Sequence, residues 1–189
     1  MSARDAIFKR LLVHNRLTTY VALQELNFNW VKDELCLVID MWNEGKSIFV
    51  IAAQLSRDID ELALLLMDLG DRELIRGRDR GILSSSPLRE NLMLRKNIRM
   101  FCTYHKHGYT VYEDENFIFD EREAVEFDGW WNQNLSIQEI ADLLNRKSSK
   151  DILFLMMDRS RKGTITSRQV TVDGRILKEY VCKPICIVN

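Results

Sequence analysis

The sequence predicts a mainly α chain made of two repeated three-helix domains, the second extended by a C-terminal β-hairpin. Three observations carry this reading. The first is self-similarity: the stretch WNEGKSIFVIAAQL, beginning at Trp42, returns as WNQNLSIQEIADLL, beginning at Trp131, with a constant shift of 89. Ser47 meets Ser136, Ala52 meets Ala141, and Arg57 meets Arg146; upstream, Asn27 answers Asn116 and Glu34 answers Glu123. Beyond Arg57 the register slips by one, so Asp68 lies on Asp158 and Ile75 on Ile165. The second is apolar spacing of three and four inside each copy, with capping residues at the helix starts. The third is Asp173-Gly174 between two alternating segments, a type I′ hairpin signal. Solenoids need at least three copies, so two copies read as two related small domains.

Residues 1–26 read as an N-terminal amphipathic helix, running from residue 3 with Ser2 or Asp5 as cap. Ile7, Leu11 and Leu12 begin its apolar face, and Tyr20, Val21 and Leu23 enlarge it. Such a stripe must be buried, either on the first repeat or as an arm exchanged between protomers.

The first repeat occupies residues 27–83. Leu35, Val38, Ile39 and Trp42 define a helix from about Val31 to Glu44, and Gly45 suits the left-handed residue after it. Ser47 caps a short helix carrying Ile48, Ile51, Ala52 and Leu55. Ser56-Arg57 turns the chain, and Asp58 with Glu61 starts a third helix with Leu62, Leu65, Leu66 and Leu69. The same grammar recurs in the second repeat, residues 116–189. There Ser136 and Glu139 form a capping box, and a third helix starts near Ser148. Between the repeats, residues 84–115 read as a basic helical connector. Ser86-Pro87 starts its helix, Arg89, Arg95, Lys96 and Arg99 run along it to about Tyr104, and Tyr109–Tyr112 is a short strand candidate.

A short helix, a tight turn and a longer helix, braced by a preceding helix, is helix-turn-helix geometry. Ala52 and Ala141 suit the close crossing of its two helices. The hairpin behind the second copy makes that domain winged. In the first copy Arg76, Arg78 and Arg80 would share one face of an extended strand.

Trp30, Glu34, Trp42 and the run Gly45-x-Ser47-Ile48-x-x-Ile51-Ala52-x-x-Leu55-x-Arg57 resemble the trihelical helix-turn-helix domains related to Myb/SANT modules and to the promoter-reading region of sigma factors. The pattern covers about residues 29–75 and, more loosely, 118–165. The resemblance implies duplex DNA bound through the third helix, in bacterial or phage transcription control. The tryptophan of Myb third helices is replaced here by Leu64–Leu66 and Phe154–Met156.

Composition bounds the partners. The 189 residues are 46% hydrophobic and 29% charged, ordinary globular values, with a net charge of −1. No run approaches the roughly 18 apolar residues of a membrane span. The N-terminus carries interspersed charges without an apolar signal core, and four dispersed cysteines read as reduced thiols, so a cytoplasmic protein is expected. The near-neutral total hides an asymmetry. Residues 27–75 hold four Lys/Arg against ten Asp/Glu, a net of −6, whereas residues 76–112 hold eight against two, a net of +6. Any phosphate contact must therefore be local.

The copies diverge most at the start of the third helix, where a recognition helix meets bases and phosphates. The first offers Arg57-Asp58-Ile59-Asp60-Glu61, whose carboxylates repel a polyanion. The second offers Asn145, Arg146, Lys147, Ser148, Ser149 and Lys150. These six, with Arg159, Arg161 and Lys162 toward the wing and Arg76, Arg78 and Arg80 in the first copy, are the candidate DNA contacts. Each has a bland counterpart. The basic cluster is also what a solvated helix start carries, the three arginines also suit closure on the acidic first repeat, and Arg57 and Arg146 also suit bracing of the turn. Cys102, His105, His107, Cys182 and Cys186 follow no established zinc spacing, and packing is the default for the cysteines. Asp68 and Asp158 each stand alone on a helix, where an acid more often pairs with a nearby base. No phosphate loop or nucleophile constellation is present, so no enzyme activity and no cofactor is expected. The resulting expectation is a sequence-specific double-stranded DNA-binding regulator. Its second repeat reads DNA, and its first repeat or N-terminal helix serves a protein partner or homodimer. The rival is an adaptor, antirepressor or polymerase-binding factor without DNA contact.

Overall fold

The computed structural model describes residues 19–78, 85, 87, 92–166, 170–172 and 175–177. The described chain is mainly helical, with helices α1 (Lys32–Asn43), α2 (Ile48–Leu55), α3 (Ile59–Asp71), α4 (Leu92–Tyr104), α5 (Glu121–Asn132), α6 (Ile137–Leu143) and α7 (Ser149–Arg161). Six short strands accompany them: β1 (Thr19–Val21), β2 (Asn29–Trp30), β3 (Tyr109–Thr110), β4 (Ile118–Asp120), β5 (Val170–Val172) and β6 (Arg175–Leu177). They pair antiparallel as β1 with β4, β2 with β3, and β5 with β6. Among the described residues, no helix is long and apolar enough to cross a membrane.

Two compact units result. One spans Glu25–Asp114; the other joins the described residues up to Gln24 to those from Glu115 onward. In the first, Leu35, Val38, Ile39 and Trp42 of α1 are buried with Ile48, Ile51 and Ala52 of α2 and with Leu62, Leu65, Leu66 and Leu69 of α3. In the second, Ala124, Phe127 and Trp131 of α5 are buried with Ile137, Ile140 and Ala141 of α6 and the run Ile152–Met157 of α7.

The helix starts follow from side-chain caps, which satisfy amide donors that the helix itself leaves open. Glu34 accepts from Val31 N at 3.1 Å, and Glu123 accepts from Asp120 N at 2.7 Å. Ser136 and Glu139 satisfy each other's amides at 3.2 and 2.7 Å. Asp58 and Ser148 accept from Asp60 N and Lys150 N at 2.8 and 3.1 Å. Left-handed residues fall in matched positions: Gly45 and Asn134 after the first helix of each unit, Ser56 and Asn145 after the second, Glu73 and Gly163 after the third. The indoles match too. Trp42 Nε1 donates to Arg76 O at 3.0 Å, and Trp131 Nε1 to Thr166 O at 2.8 Å.

A buried carboxylate organises the third helix of each unit. Asp158 of α7, fully buried, accepts from the Tyr20 hydroxyl, from Leu23 N at 2.8 Å, and from Lys162 Nζ at 3.0 Å. Asp68 of α3, 2% exposed, accepts from the Tyr109 hydroxyl, from Tyr112 N at 3.1 Å, and from Arg72 Nε at 3.0 Å. The strand registers agree as well. Tyr20 lies opposite Phe119 and Val21 opposite Ile118; Tyr109 lies opposite Trp30 and Thr110 opposite Asn29. Ala22 N donates to Phe117 O at 2.9 Å, and Val111 N to Phe28 O at 3.0 Å. Each unit thus receives its tyrosine strand from the stretch of chain that precedes the helices of the other.

Several expectations change. The N-terminal helix does not reach residue 26: Thr19–Val21 is a strand, and Leu23 has φ of 57°. β-Branched and aromatic residues side by side favour the pleated conformation, and the partner strand β4 supplies its hydrogen bonds. This segment joins the unit holding Glu115 onward, not the first repeat; residues 3–18 lie outside the described residues. Arg76 and Arg78 do not form a strand face, because Arg78 turns inward onto Trp42, its guanidinium 3.6 Å from the ring centroid. Arg80, Ser86, Arg89, Cys182, Cys186 and the Asp173-Gly174 turn lie outside the described residues. The strands flanking that turn do pair, with Val172 opposite Arg175.

Candidate nucleic-acid interface

The candidate interface is built on the turn between α6 and α7. Helix α6 stops because Asn145 adopts φ of 51°, a left-handed conformation that asparagine tolerates. Arg146 N then closes the turn on Ala141 O at 2.8 Å, and Ser148 caps α7. Asn145 and Lys147 are left exposed, with Ser148, Ser149 and Lys150 partly so. Lys150 Nζ lies 3.7 Å from Glu115 Oε1, close enough for an ion pair and exposed enough to leave it.

Other predicted contacts have internal partners. Arg146 Nη2 donates to Glu123 at 2.8 Å and to Ile118 O at 3.1 Å, and its guanidinium lies 4.3 Å from the Phe119 ring centroid. Arg57 makes the same set in the other unit. It reaches Glu34 at 2.9 Å and Asn29 O at 2.7 Å, lies 4.2 Å from the Trp30 centroid, and adds Glu61 at 3.3 Å. Hydrogen bonding from Arg57 holds the Glu34 carboxyl below its ordinary range. A planar guanidinium that bonds a carboxylate while stacking on a ring is a brace, and lysine would not replace it.

Arg159 pairs with Asp128 and donates to the Tyr20 hydroxyl at 3.3 Å, with its side chain 13% exposed. Hydrogen bonding to Asp128 raises its affinity for the proton. Lys162 donates to Tyr20 at 2.9 Å and to Asp158. Arg161 is partly buried. Arg78 is 6% exposed and donates to Lys46 O at 2.9 Å and to Trp42 O, while Arg76 is exposed. The structure therefore brings Asn145, Lys147, Ser148, Ser149 and Lys150 together at one helix start. It commits Arg146, Arg159, Lys162 and Arg78 elsewhere, and it places Arg76 in the other unit.

The start of α3 contrasts with that of α7. Asp58 is exposed, Asp60 and Glu61 are partly so, and Glu61 accepts from Asn27 N at 2.8 Å. Cys102 is buried and packs toward Cys36; burial pushes its thiol up to about 12. Burial, and after it the nearby Arg72, lower the His105 pKa below the ordinary imidazole value. Among the described residues, no group of three potential ligands is placed to hold a metal.

The tyrosines facing Asp158 and Asp68 were missed by sequence reasoning. The signal was present, because Tyr20 and Tyr109 are also 89 apart. Their partners lie more than a hundred residues away in one case and about forty in the other, which periodicity cannot report. No protein-family model, curated protein or solved structure matches the chain.

Proposed function

We propose that the chain is a double-stranded DNA-binding regulator with two copies of one helix-turn-helix fold, the hairpin β5–β6 serving as the wing of the second. The unit carrying α5–α7 reads DNA. The observation that carries this reading is the exposed Lys147, set beside Ser148, Ser149 and Lys150 at the capped start of α7. Amide donors, hydroxyls and ammonium groups converge there, the combination that takes phosphate oxygens and base edges. The matched caps, left-handed residues and indole bonds support the two-copy reading. With Arg146, Arg159 and Lys162 bound internally, the electrostatic footprint is small. Two lysine–phosphate contacts give a slope of log affinity on log salt of roughly −2.

The test is fluorescence anisotropy with duplex DNA across a salt series, for the intact chain and for Lys147→Glu with Lys150→Glu. The double variant should lose at least about tenfold in affinity, with an unchanged circular dichroism spectrum. Equal affinity refutes the assignment.

One observation favours an adaptor instead. Phe49 and Val50 on α2 are 43% and 49% exposed, where α6 presents the exposed Gln138 and Glu139. An exposed apolar pair, in the unit whose third helix starts with carboxylates, suits a protein partner rather than a polyanion. Absence of DNA retention at low salt favours that reading.

A further inference from the structure

We propose that the outer face of α4 binds single-stranded nucleic acid, with its cations on the phosphates and Tyr104 as a platform on which an unpaired base stacks. The surface belongs to the unit Glu25–Asp114, and the inference does not rest on duplex reading by α7.

Helix α4 has two faces of opposite character. Spacing of three and four puts Ile98, Phe101, Cys102 and His105 on one side, and Lys96, Arg99, Met100, Thr103 and Tyr104 on the other. The first side packs inward. Cys102 is buried, and the Phe101 and His105 rings lie 5.1 and 4.8 Å from the buried Tyr109 ring. The second side is exposed along its length, and Lys106 and His107 extend it past the helix end. From Leu92 to Gly108 there is no Asp or Glu, so nothing within the segment offsets its cations.

These cations are not used in folding the unit. Arg57 and Arg72 are held by carboxylates and Arg78 by backbone carbonyls. Exposed carboxylates of the same unit remain at Asp33, Asp40, Glu44, Asp58 and Glu73. Even so, among the described residues Lys96, Arg99 and Lys106 form no ion pair. They do not close on the acidic first repeat. The start of α3 in this unit is acidic, so α4 is the surface here that a polyanion tolerates.

The rings choose among polyanions. Tyr104 is 83% exposed, and Met100, one turn before it, is 56% exposed. Tyr104 is also positioned: its ring meets His105 edge to face at 4.9 Å, and His105 lies 4.4 Å from Phe101. An acidic peptide would satisfy the cations and leave this ring unused. A base stacks on an aromatic ring beside cations, and an unpaired base has a face to offer where a duplex covers it with neighbouring pairs. From Lys96 to Tyr104 the face runs about 12 Å along the helix, so the phosphate contacts and the stacked base belong to one short stretch of strand.

The test is fluorescence anisotropy of the intact chain with a labelled oligothymidine of about 20 nucleotides. Binding at low salt should weaken as salt rises. Lys96→Glu with Arg99→Glu should lower affinity at least about tenfold and flatten the slope of log affinity on log salt by roughly 1.4. Tyr104→Ala should lower it about fivefold or more, and Tyr104→Phe should bind as wild type does. Circular dichroism should be unchanged in all three. The proposal is overturned by no oligothymidine binding at low salt, or by wild-type affinity in the charge-reversed or Tyr104→Ala variant. It is also overturned if phosphatidylserine vesicles bind through Lys96 and Arg99 while oligothymidine does not. Oligothymidine binding by a protein that ignores duplex DNA supports α4 and removes the reading at α7; the reverse pattern overturns α4 and keeps α7.

Discussion

Replacing Tyr20 by phenylalanine removes the hydroxyl that faces the buried Asp158 carboxylate while keeping the ring. The hydroxyl donates to Asp158 and accepts from Lys162 Nζ at 2.9 Å and Arg159 Nη1 at 3.3 Å. Asp158 retains Leu23 N and Lys162, so its charge is not orphaned. Hydrogen bonds to charged groups contribute about 1.5–3 kcal/mol, so a loss of about 2 kcal/mol is expected. Because the bond holds the Tyr20–Leu23 segment on Asp158, the local probe is amide exchange at Leu23. A loss of about 2 kcal/mol accelerates exchange through opening of this segment by roughly 30-fold. Urea denaturation of the same variant gives the global figure. Tyr109→Phe acts on Asp68 in the same way, with Tyr112 N as its probe. A cycle of Tyr20→Phe with Asp158→Asn should show a coupling of at least about 1 kcal/mol. Leu23 exchange within threefold of wild type would refute the buried carboxylate as the element that holds the strand.

Two further outcomes follow from the braces. Arg57 depresses the Glu34 pKa, so the folded state binds this proton less tightly than the unfolded chain. Its contribution to stability is present above the unfolded carboxylate pKa and is lost as pH falls through the folded value. Glu34→Gln should therefore lower the melting temperature at pH 7 and not at pH 2; an equal deficit at both pH values removes the ion pair as the cause. Arg78→Ala removes a guanidinium stacked on Trp42 and its bonds to two carbonyls. It should cost about 2–3 kcal/mol in urea denaturation and leave DNA affinity unchanged, whereas a DNA-contacting Arg78 would show the reverse.

The helices were legible because their determinants are local. The spacing of Leu35, Val38, Ile39 and Trp42, and the serines at 47, 136 and 148, act within a turn or two of chain. The candidate interface was only partly legible, for the complementary reason. A basic residue near a helix start looks the same in sequence whether it faces water, as Lys147 does, or lies against Phe119 and Glu123, as Arg146 does. The recurrence of Arg57 and Arg146 hinted at bracing, since one of them directly precedes an acidic helix start.

By itself the sequence determined the three helices of each repeat, their caps, the left-handed residue at Gly45, the tight turn at Ser56-Arg57 and the spacing of 89 that links the copies, all short-range or directly visible properties. Only the tertiary structure decided that Thr19–Val21 is a strand and that Tyr20 serves the carboxylate at 158 while Tyr109 serves the one at 68. Strands of two or three residues are too short for their own preference to fix a partner. What selects their partners is the need of a buried charge for donors, and that need exists only once the helices around it have closed.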